Sequence, residues 1–581
     1  MIKAQPLSLF HAMPLSEEEG IGALSIPGYL REVTQRYAAS EAVVMHYGKN
    51  SSDGAHTGDV LRWSYQDLWN ESVRVAKALI ANGVTKDTRV GILMTNRAEY
   101  LSAMFGAALA GGVSVVFSTF STPDEMKHLL SVSDVSVLLF EDQVLKKDFA
   151  AMLTELEPAI LSAKAGTMSS ENFPFLKRLV YLDGVTKTGN AECDVFAIEA
   201  IESWDSFLQT AELISTEVVE ARAAKVHPSD AGALFFSSGT TSLPKGILHS
   251  QQAFTIQYWR WKRLWRLDQP ARSWTGNGFF WSGPVSIIVG TALSTGGAII
   301  LQPLFDADEA LALIEKEKVS LMNGRPHQWA RMQASPRWAQ ADLSSLRQIT
   351  KGELIMEHPT VTSTWEMPNA FGTTETMSIL SSFVLGDPAN EDPRNFGALL
   401  PGNIMKIVDP LIGNIVPMGE RGEVCIKGPT LMKGYLGKSP EETFDEDGYY
   451  RTGDGGYIDE NGHLFWEGRL NDIIKTGGAN VSPEEVDTVI GNYPGVKRSQ
   501  TVGVPHETLS EMVVACIVPV DGATLDEEEM IAFLKQKLAS FKVPRKVLFF
   551  AEDEFSLTGN EKVKASDIRQ MATERLAAVT Q

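Results

Sequence analysis

Between Phe235 and Gly246 the chain reads Phe-Phe-Ser-Ser-Gly-Thr-Thr-Ser-Leu-Pro-Lys-Gly. Such a run suits a loop that closes on an anion. Two apolar residues able to end a buried strand pass into a tract of Ser, Gly and Thr, and Lys245 follows with no bulky side chain covering the backbone between. Small residues let N–H groups and hydroxyls converge on phosphate oxygens, while a lysine adds a compact positive charge. The spacing is not that of a Walker loop, which needs Gly-Lys-Ser/Thr at the opening of a helix. Alone, a Ser/Gly/Thr tract is more often a turn or linker, so the rest of the chain must decide.

A chain of 581 residues exceeds one ordinary core and predicts at least two domains. At 44% hydrophobic and 22% charged it has the balance of a globular enzyme. A formal charge of −21 argues against a nucleic-acid partner. It does not forbid a nucleotide, whose phosphates respond to local donors. The three cysteines, Cys193, Cys425 and Cys516, lack metal or disulfide spacing and fit a reducing cytoplasm. Met1 to Phe10 shows no secretory pattern.

Two uncharged stretches, Leu101 to Thr122 and Gly278 to Phe305, are long enough to span a membrane. Each breaks at paired glycines, Gly111-Gly112 and Gly296-Gly297, before a β-rich run. That order predicts buried helix, glycine stop, then buried strand, and no transmembrane segment. Tyr65 to Ala81 shows helical spacing through Leu68, Val75 and Leu79, and Val90 to Met94 follows as a strand. A parallel, doubly wound sheet is expected here. Tyr258 to Leu267 reads as a scaffold helix, with Tyr258, Trp261 and Trp265 on one face and snorkelling arginines at Arg260, Arg263 and Arg266. Beyond Pro401, short β runs between turns predict a small β subdomain. A compact mixed segment follows, with strands over Ser499 to Val504, Met512 to Val518 and Lys546 to Phe550. Its helix should open at a capping box on Thr524-Leu-Asp-Glu527 and run to about Phe541.

Seven segments together resemble the adenylate-forming superfamily, which includes acyl-CoA synthetases, luciferases and peptide-synthetase adenylation domains. They are the 235–246 loop, Lys351-Gly-Glu-Leu354, Ala370-Phe-Gly-Thr-Thr-Glu375, Gly422-Glu-Val to Gly434-Tyr435, Tyr450-Arg-Thr-Gly-Asp454, Gly468 to Gly478, and Thr558-Gly-Asn-Glu-Lys-Val-Lys564. They stand in family order, and the resemblance covers essentially Trp63 to Arg569. The resemblance implies an α/β fold: a large N-terminal domain of doubly wound sheets plus a small β subdomain, residues 1–470, and a small mobile α+β C-terminal catalytic domain, residues 471–581.

It also implies roles. Ser237, Ser238, Gly239, Thr240 and Thr241 would cradle phosphates with Lys245. Gly352, Glu353 and Leu354 would belong to the loop against which the adenine stacks, and Asn369, Ala370, Phe371 and Gly372 would bind the nucleotide. Thr374 would contact the α-phosphate, Glu375 would hold Mg2+, Asp454 would grip the ribose hydroxyls, and Arg469, at the interdomain junction, would bind the nucleotide. Lys562 would bridge the substrate carboxylate and the α-phosphate, with Lys564 the other lysine in register. Trp281, or Phe280 beside it, would gate the acyl pocket. Lys475, Gly477 and Gly478 would face the arm of an incoming thiol.

The chain departs from the family at Ser242, Asn471 and Glu561, where glycine, Asp or Lys, and glycine are usual. The expected activity is an ATP- and Mg2+-dependent carboxylate–CoA ligase, with CoA as thiol substrate and a medium- or long-chain fatty acid as acid. An aromatic or cyclic acid, an acyl-AMP ligase serving a carrier protein and a non-catalytic binder remain alternatives. Peripheral membrane contact and a homodimer stay open.

Overall fold

The computed structural model describes residues 6–47, 60–184, 186–187, 195, 198–237, 244–349, 353–387, 392, 394–470, 474–476, 479–481, 483–506, 509–538, 542–555 and 565–579. It is mixed α/β, with a large N-terminal and a small C-terminal domain. Among the described residues the large domain is built on three larger sheets, with a small three-stranded one, Thr186–Lys187, Gln143–Leu145 and Lys147–Asp148, beside them. The first has eight strands in the order Ile201–Ser203, Arg178–Leu182, Val135–Glu141, Arg89–Leu93, Val113–Val116, Ala231–Phe236, Gly246–Ser250 and Gly434–Tyr435. Its first six strands are parallel and the last two join antiparallel.

The second sheet runs Leu321–Asn323, Arg272–Thr275, Ala298–Leu301, Glu41–His46 and Val60–Ser64, parallel except for its last strand. Both have the helix-covered, strand-crossover character expected of doubly wound sheets.

The glycine-broken stretches fold as expected. Helix Ala98–Ala110 is buried almost all round and ends at Gly111, whose φ of 85° favours glycine, before strand Val113–Val116. Helix Gly290–Thr295 ends at Gly296, φ 76°, before Ala298–Leu301. Among the described residues no helix is long and apolar enough to cross a membrane. Helix Tyr65–Ala81 starts where the Ser64 hydroxyl accepts from Asp67 N–H and the Asp67 carboxylate accepts from Ser64 N–H. It buries Leu68, Val75 and Leu79.

The third sheet is wholly antiparallel: Leu9–His11, Ile404–Val408, Gly422–Lys427, Tyr450–Ile458, His463–Arg469, Asn395–Leu399, Ser381–Ser382 and Ala370–Phe371. The β subdomain therefore recruits strands from before Pro401 and one from the N-terminus. The two shortest are two residues each, too short to carry an alternating pattern.

Helix Gln251–Leu264 corrects one expectation. Tyr258, Trp261 and Trp265 are buried, but Arg260 does not snorkel: it is 1% exposed. Its guanidinium donates to both Glu18 oxygens at 2.9–3.1 Å and to Pro401 O at 2.5 Å. Arg263 Nη2 reaches Glu18 Oε1 at 2.9 Å. A charge this deep persists only when paired, and Glu18 supplies the pair.

The small domain has one sheet, in the order Ala479–Val481, Ile474–Thr476, Ser510–Pro519 and Val496–His506, with Lys546–Phe549 parallel on Ser510–Pro519. Of its helices Pro483–Ile490, Glu527–Lys535 and Ala565–Val579, the second is the one expected near Thr524; it is capped by Asp526, whose carboxylate accepts from Glu528 and Glu529 N–H at 2.9 and 3.0 Å. The Thr524 capping box does not form, because Asp526 stands directly before the first turn. The helix ends at Lys535, short of the expected limit; Phe541 lies outside the described residues.

Candidate active site

The phosphate-type loop leaves strand Ala231–Phe236 and returns into strand Gly246–Ser250. Its base is closed by two hydrogen bonds, Ser237 N–H to Lys245 O at 3.0 Å and Lys245 N–H to Ser237 Oγ at 3.3 Å. Ser238, Gly239, Thr240, Thr241 and Ser242 lie outside the described residues. Lys245 Nζ stands 5.5 Å from the centroid of the Tyr435 ring. Tyr435 is held there by antiparallel pairing opposite Ile247.

The second arm leaves the antiparallel sheet at Ala370–Phe371. Gly372 is required: a Cβ there would sit 1.6 Å from Ser378 O. The chain then turns through a short 3-10 segment, Thr374–Thr376, and Met377 with φ 51°. Gln257 Nε2 donates to Thr376 O at 3.1 Å and Ile379 O at 2.6 Å, fixing the turn to the helix behind it. Glu375 Oε1 accepts from the Tyr435 hydroxyl at 2.7 Å, and that hydroxyl meets Tyr450 Oη at 2.8 Å. Burial, then the charge of Glu375, raises the Tyr435 phenol well above its ordinary value, so it stays a donor. Behind this turn His249 is fully buried, and burial pushes its imidazole down to about 4, keeping it neutral.

The third arm is strand Tyr450–Ile458. Asp454 Oδ1 meets Arg469 Nε at 3.1 Å across the ladder, and Arg469 Nη1 donates to Thr452 O at 2.7 Å. Burial raises the Asp454 carboxyl, with Arg469 partly offsetting it. Asp454 Oδ2 and Trp466 Nε1 are both buried without a hydrogen bond of normal geometry, although the indole lies near enough to favour the carboxylate.

These three arms gather Lys245, Glu375 and Tyr450 around Tyr435, and Tyr450 begins the strand that carries Asp454, near enough for Asp454 and Arg469 to act electrostatically on its phenol. Neither tyrosine was assigned a role from sequence; each sat in a quoted segment but carried no chemical signal of its own. Thr374 adjoins Glu375. Asn369 spends its amide on Asp392 O and Asn395 O at 3.2 and 3.1 Å, leaving that NH2 to the scaffold. Ala370 is exposed and Phe371 buried beside Trp466, ring centroids 6.4 Å apart.

Glu353 is half-buried, and burial raises its carboxyl. With Trp265, Trp329, Trp365 and Asn323 it lines a cavity of about 210 Å3. Trp281 packs beside Phe280, 5.3 Å between centroids, and the cavity wall is formed by other residues. Gly352, Gly477, Gly478, Lys562 and Lys564 lie outside the described residues, as does the Lys475 side chain.

The donor set suits a magnesium nucleotide. Asp454 Oδ2 is a buried acceptor still lacking a donor, as a sugar hydroxyl would supply. Among the described residues Glu375 Oε2 has no hydrogen-bond partner and is a hard oxygen of the kind Mg2+ takes. Among the described residues no cluster of three His, Cys, Asp or Glu is placed to hold a metal ion.

A doubly wound large domain, an antiparallel sheet beside it, and acidic and basic groups gathered where they meet define an adenylate-forming class of protein. Comparison with known families agrees: the model of the AMP-binding enzyme family matches residues 30–436, and that of its C-terminal domain matches residues 485–562. The chain belongs to this family. It is 30% identical over 518 residues to the indoleacetate–CoA ligase of Aromatoleum aromaticum, covering 88% of this chain and 94% of that one. It is 26% identical over 567 residues to the mitochondrial medium-chain acyl-CoA ligase ACSF2 of Danio rerio, covering 94% and 88%. Its fold is similar to the crystal structure of the anthranilate CoA ligase AuaEII in complex with anthranoyl-AMP, with TM-score 0.74 and 23% identity over 97% of this chain and all of that one.

Proposed function

We propose that this protein is an AMP-forming acid–thiol ligase that converts a carboxylic acid, ATP and CoA into acyl-CoA, AMP and pyrophosphate. The observation that carries the reading is the linked set Lys245–Tyr435–Glu375, with Tyr450 hydrogen-bonded to Tyr435 on the same strand as Asp454, which pairs with Arg469.

In the first half-reaction a carboxylate oxygen attacks the α-phosphorus and the bond to the leaving pyrophosphate breaks. Two anions must meet, so the barrier falls where positive charge is already aimed at the developing charge. We assign Lys245 and the loop it closes to the phosphates, and Thr374, next to Glu375 in sequence, to the α-phosphate. Glu375, oriented by Tyr435, would hold Mg2+, whose charge would shield the phosphate oxygens. Asp454 and Arg469 orient the ribose end. We assign Lys562 to the bridge between carboxylate and α-phosphate, with Lys564 as the other candidate. In the second half-reaction the CoA sulfur attacks the acyl carbon and AMP departs. Lys475, Gly477 and Gly478 are proposed to face that thiol after residues 471–581 reorient about Asn471.

For the acid, we favour a compact aromatic or cyclic body, the alternative from sequence, over the medium- or long-chain fatty acid expected there. The support is the cavity of about 210 Å3 walled by three tryptophans, with polar groups at Asn323, Arg325, Gln348 and Glu353. The test is a panel of phenylacetate, a cinnamate-type acid, octanoate and palmitate, with acyl-CoA read by mass spectrometry and AMP release in parallel. Acyl-CoA from the aromatic acids at higher kcat/KM supports both statements. Preference for palmitate removes the choice of acid, and no acyl-CoA from any acid removes the ligase.

A further inference from the structure

The segment that carries Phe279, Phe280 and Trp281 is gripped from below by residues that no motif contains. Asn96 follows strand Arg89–Leu93 and is 4% exposed. Its Nδ2 donates to Asn277 O at 2.8 Å, and its Oδ1 accepts from Phe279 N–H at 2.8 Å. Tyr100, one turn into helix Ala98–Ala110, donates its hydroxyl to Phe279 O at 2.9 Å. Both polar edges of one amide and one phenol are thus spent on Asn277 and Phe279, two positions apart.

The gripped segment is tied onward at both sides. Gln328 Nε2 donates to Gly276 O at 2.8 Å, and Asn277 Nδ2 reaches Asn323 Oδ1 at 3.3 Å, a residue of the cavity wall. The Phe280 ring folds back over Gly278, where a Cβ would lie 2.0 Å from Phe280 Cε1. It is capped edge-on by the exposed Phe120 at 5.4 Å. Asn96 itself is framed by a charged lock: Thr95 N–H donates to Glu141 Oε2 at 2.6 Å, and Arg97 Nη1 to Glu141 Oε1 at 3.2 Å.

The geometry points to Asn96 as a positioning residue for acid recognition: it sets the aromatic segment at 277–281 and, through Asn277, the Asn323 side of the cavity. It touches no substrate. This rests on the ligase reading for its kinetic consequence, though not for its structural one. An asparagine is suited to the place because donor and acceptor lie on one planar group, matching a carbonyl and an N–H two residues apart. Alanine loses both, leaving the buried Phe279 N–H and the half-buried Asn277 carbonyl without these partners.

Hydrogen–deuterium exchange decides the structural part on the full chain. In Asn96→Ala the amides of 276–282 should exchange about 10-fold faster or more while those of 246–256 stay unchanged. Tyr100→Phe keeps the ring and removes one hydroxyl, so it serves if the first variant folds poorly; about 3-fold is expected in the same segment. In steady state Asn96→Ala should raise KM for the acid about 10-fold and shift the preference between phenylacetate and octanoate, leaving KM for ATP within about 2-fold.

Unchanged exchange at 276–282 in both variants overturns the proposal, as does exchange rising equally throughout the domain. KM for acid and ATP rising together also overturns it. If the wild-type protein makes no acyl-CoA, the ligase reading falls alone and the exchange result still decides the clamp.

Discussion

Tyr435 donates its hydroxyl to Glu375 Oε1 at 2.7 Å from 60 positions away in sequence, and the same ring lies under Lys245 Nζ at 5.5 Å. One tyrosine thus registers the carboxylate that would hold the metal against the lysine that would meet the phosphates. Its position follows from a two-residue strand paired to the strand after the phosphate-type loop.

Removing the carboxylate charge should therefore cost more than removing the phenol. Glu375→Gln is expected to slow acid-dependent pyrophosphate exchange on the order of 100-fold or more. Tyr435→Phe keeps the ring beneath Lys245 and loses one charge-assisted hydrogen bond, for about 10-fold. Exchange rates titrated with MgCl2 check the order; equal rates for wild type and Glu375→Gln contradict it.

Asp454 Oδ2 should find its donor in the ribose. Asp454→Asn is expected to raise KM for ATP about 10-fold. Wild type should discriminate against 3′-deoxy-ATP, and the variant should lose that discrimination. Because burial raises the Asp454 carboxyl, it protonates earlier than an ordinary aspartate as pH falls. KM for ATP should then climb on the acid side in wild type and stay flatter in Asp454→Asn.

In the small domain the Asp487 carboxyl accepts from Thr501 N–H at 2.9 Å and Thr501 Oγ1 at 2.8 Å. Burial pushes it up to about 6, and the hydrogen bonds from Thr501 only partly offset that. A folded value above the unfolded one means the native state holds the proton longer. Stability from this group is present below about pH 4 and is lost as pH rises through about 6. Asparagine keeps both Thr501 contacts without the charge. Asp487→Asn should gain about 1 kcal/mol on wild type between pH 5 and pH 7, read from denaturant melts at each pH. A pH-independent difference contradicts the assignment.

Glu18 neutralises two arginines from the N-terminal segment. Glu18→Ala leaves Arg260 buried and unpaired and should cost about 3–5 kcal/mol. A thermal midpoint unchanged from wild type would show that the pair carries no such weight.

Much of this was legible because small and charged residues are rare together in a strand-ending loop: the 235–246 run, Gly372 between Phe371 and Thr373, and the Thr-Gly-Asp ending at Asp454 each limit what the backbone can do. The glycine-stopped helices at Gly111 and Gly296 were equally plain. What escaped depends on partners far along the chain. Helical spacing assigns Arg260 a face but cannot name Glu18, 242 positions earlier, so a buried ion pair read as snorkelling. Tyr435 and Tyr450 are ordinary tyrosines until the sheets bring them to Glu375. Asn96 carries no motif, since its partners are backbone groups. Thr524 offered a cap that Asp526, nearer the helix, took instead.

The account turns on carboxylate activation at the α-phosphorus, and acid-dependent exchange of labelled pyrophosphate into ATP, without CoA, measures that step alone. Wild-type protein should exchange with at least one acid of the aromatic and aliphatic panel, and Glu375→Gln should abolish nearly all of it. No exchange with any acid, or exchange undiminished in that variant, would contradict the account.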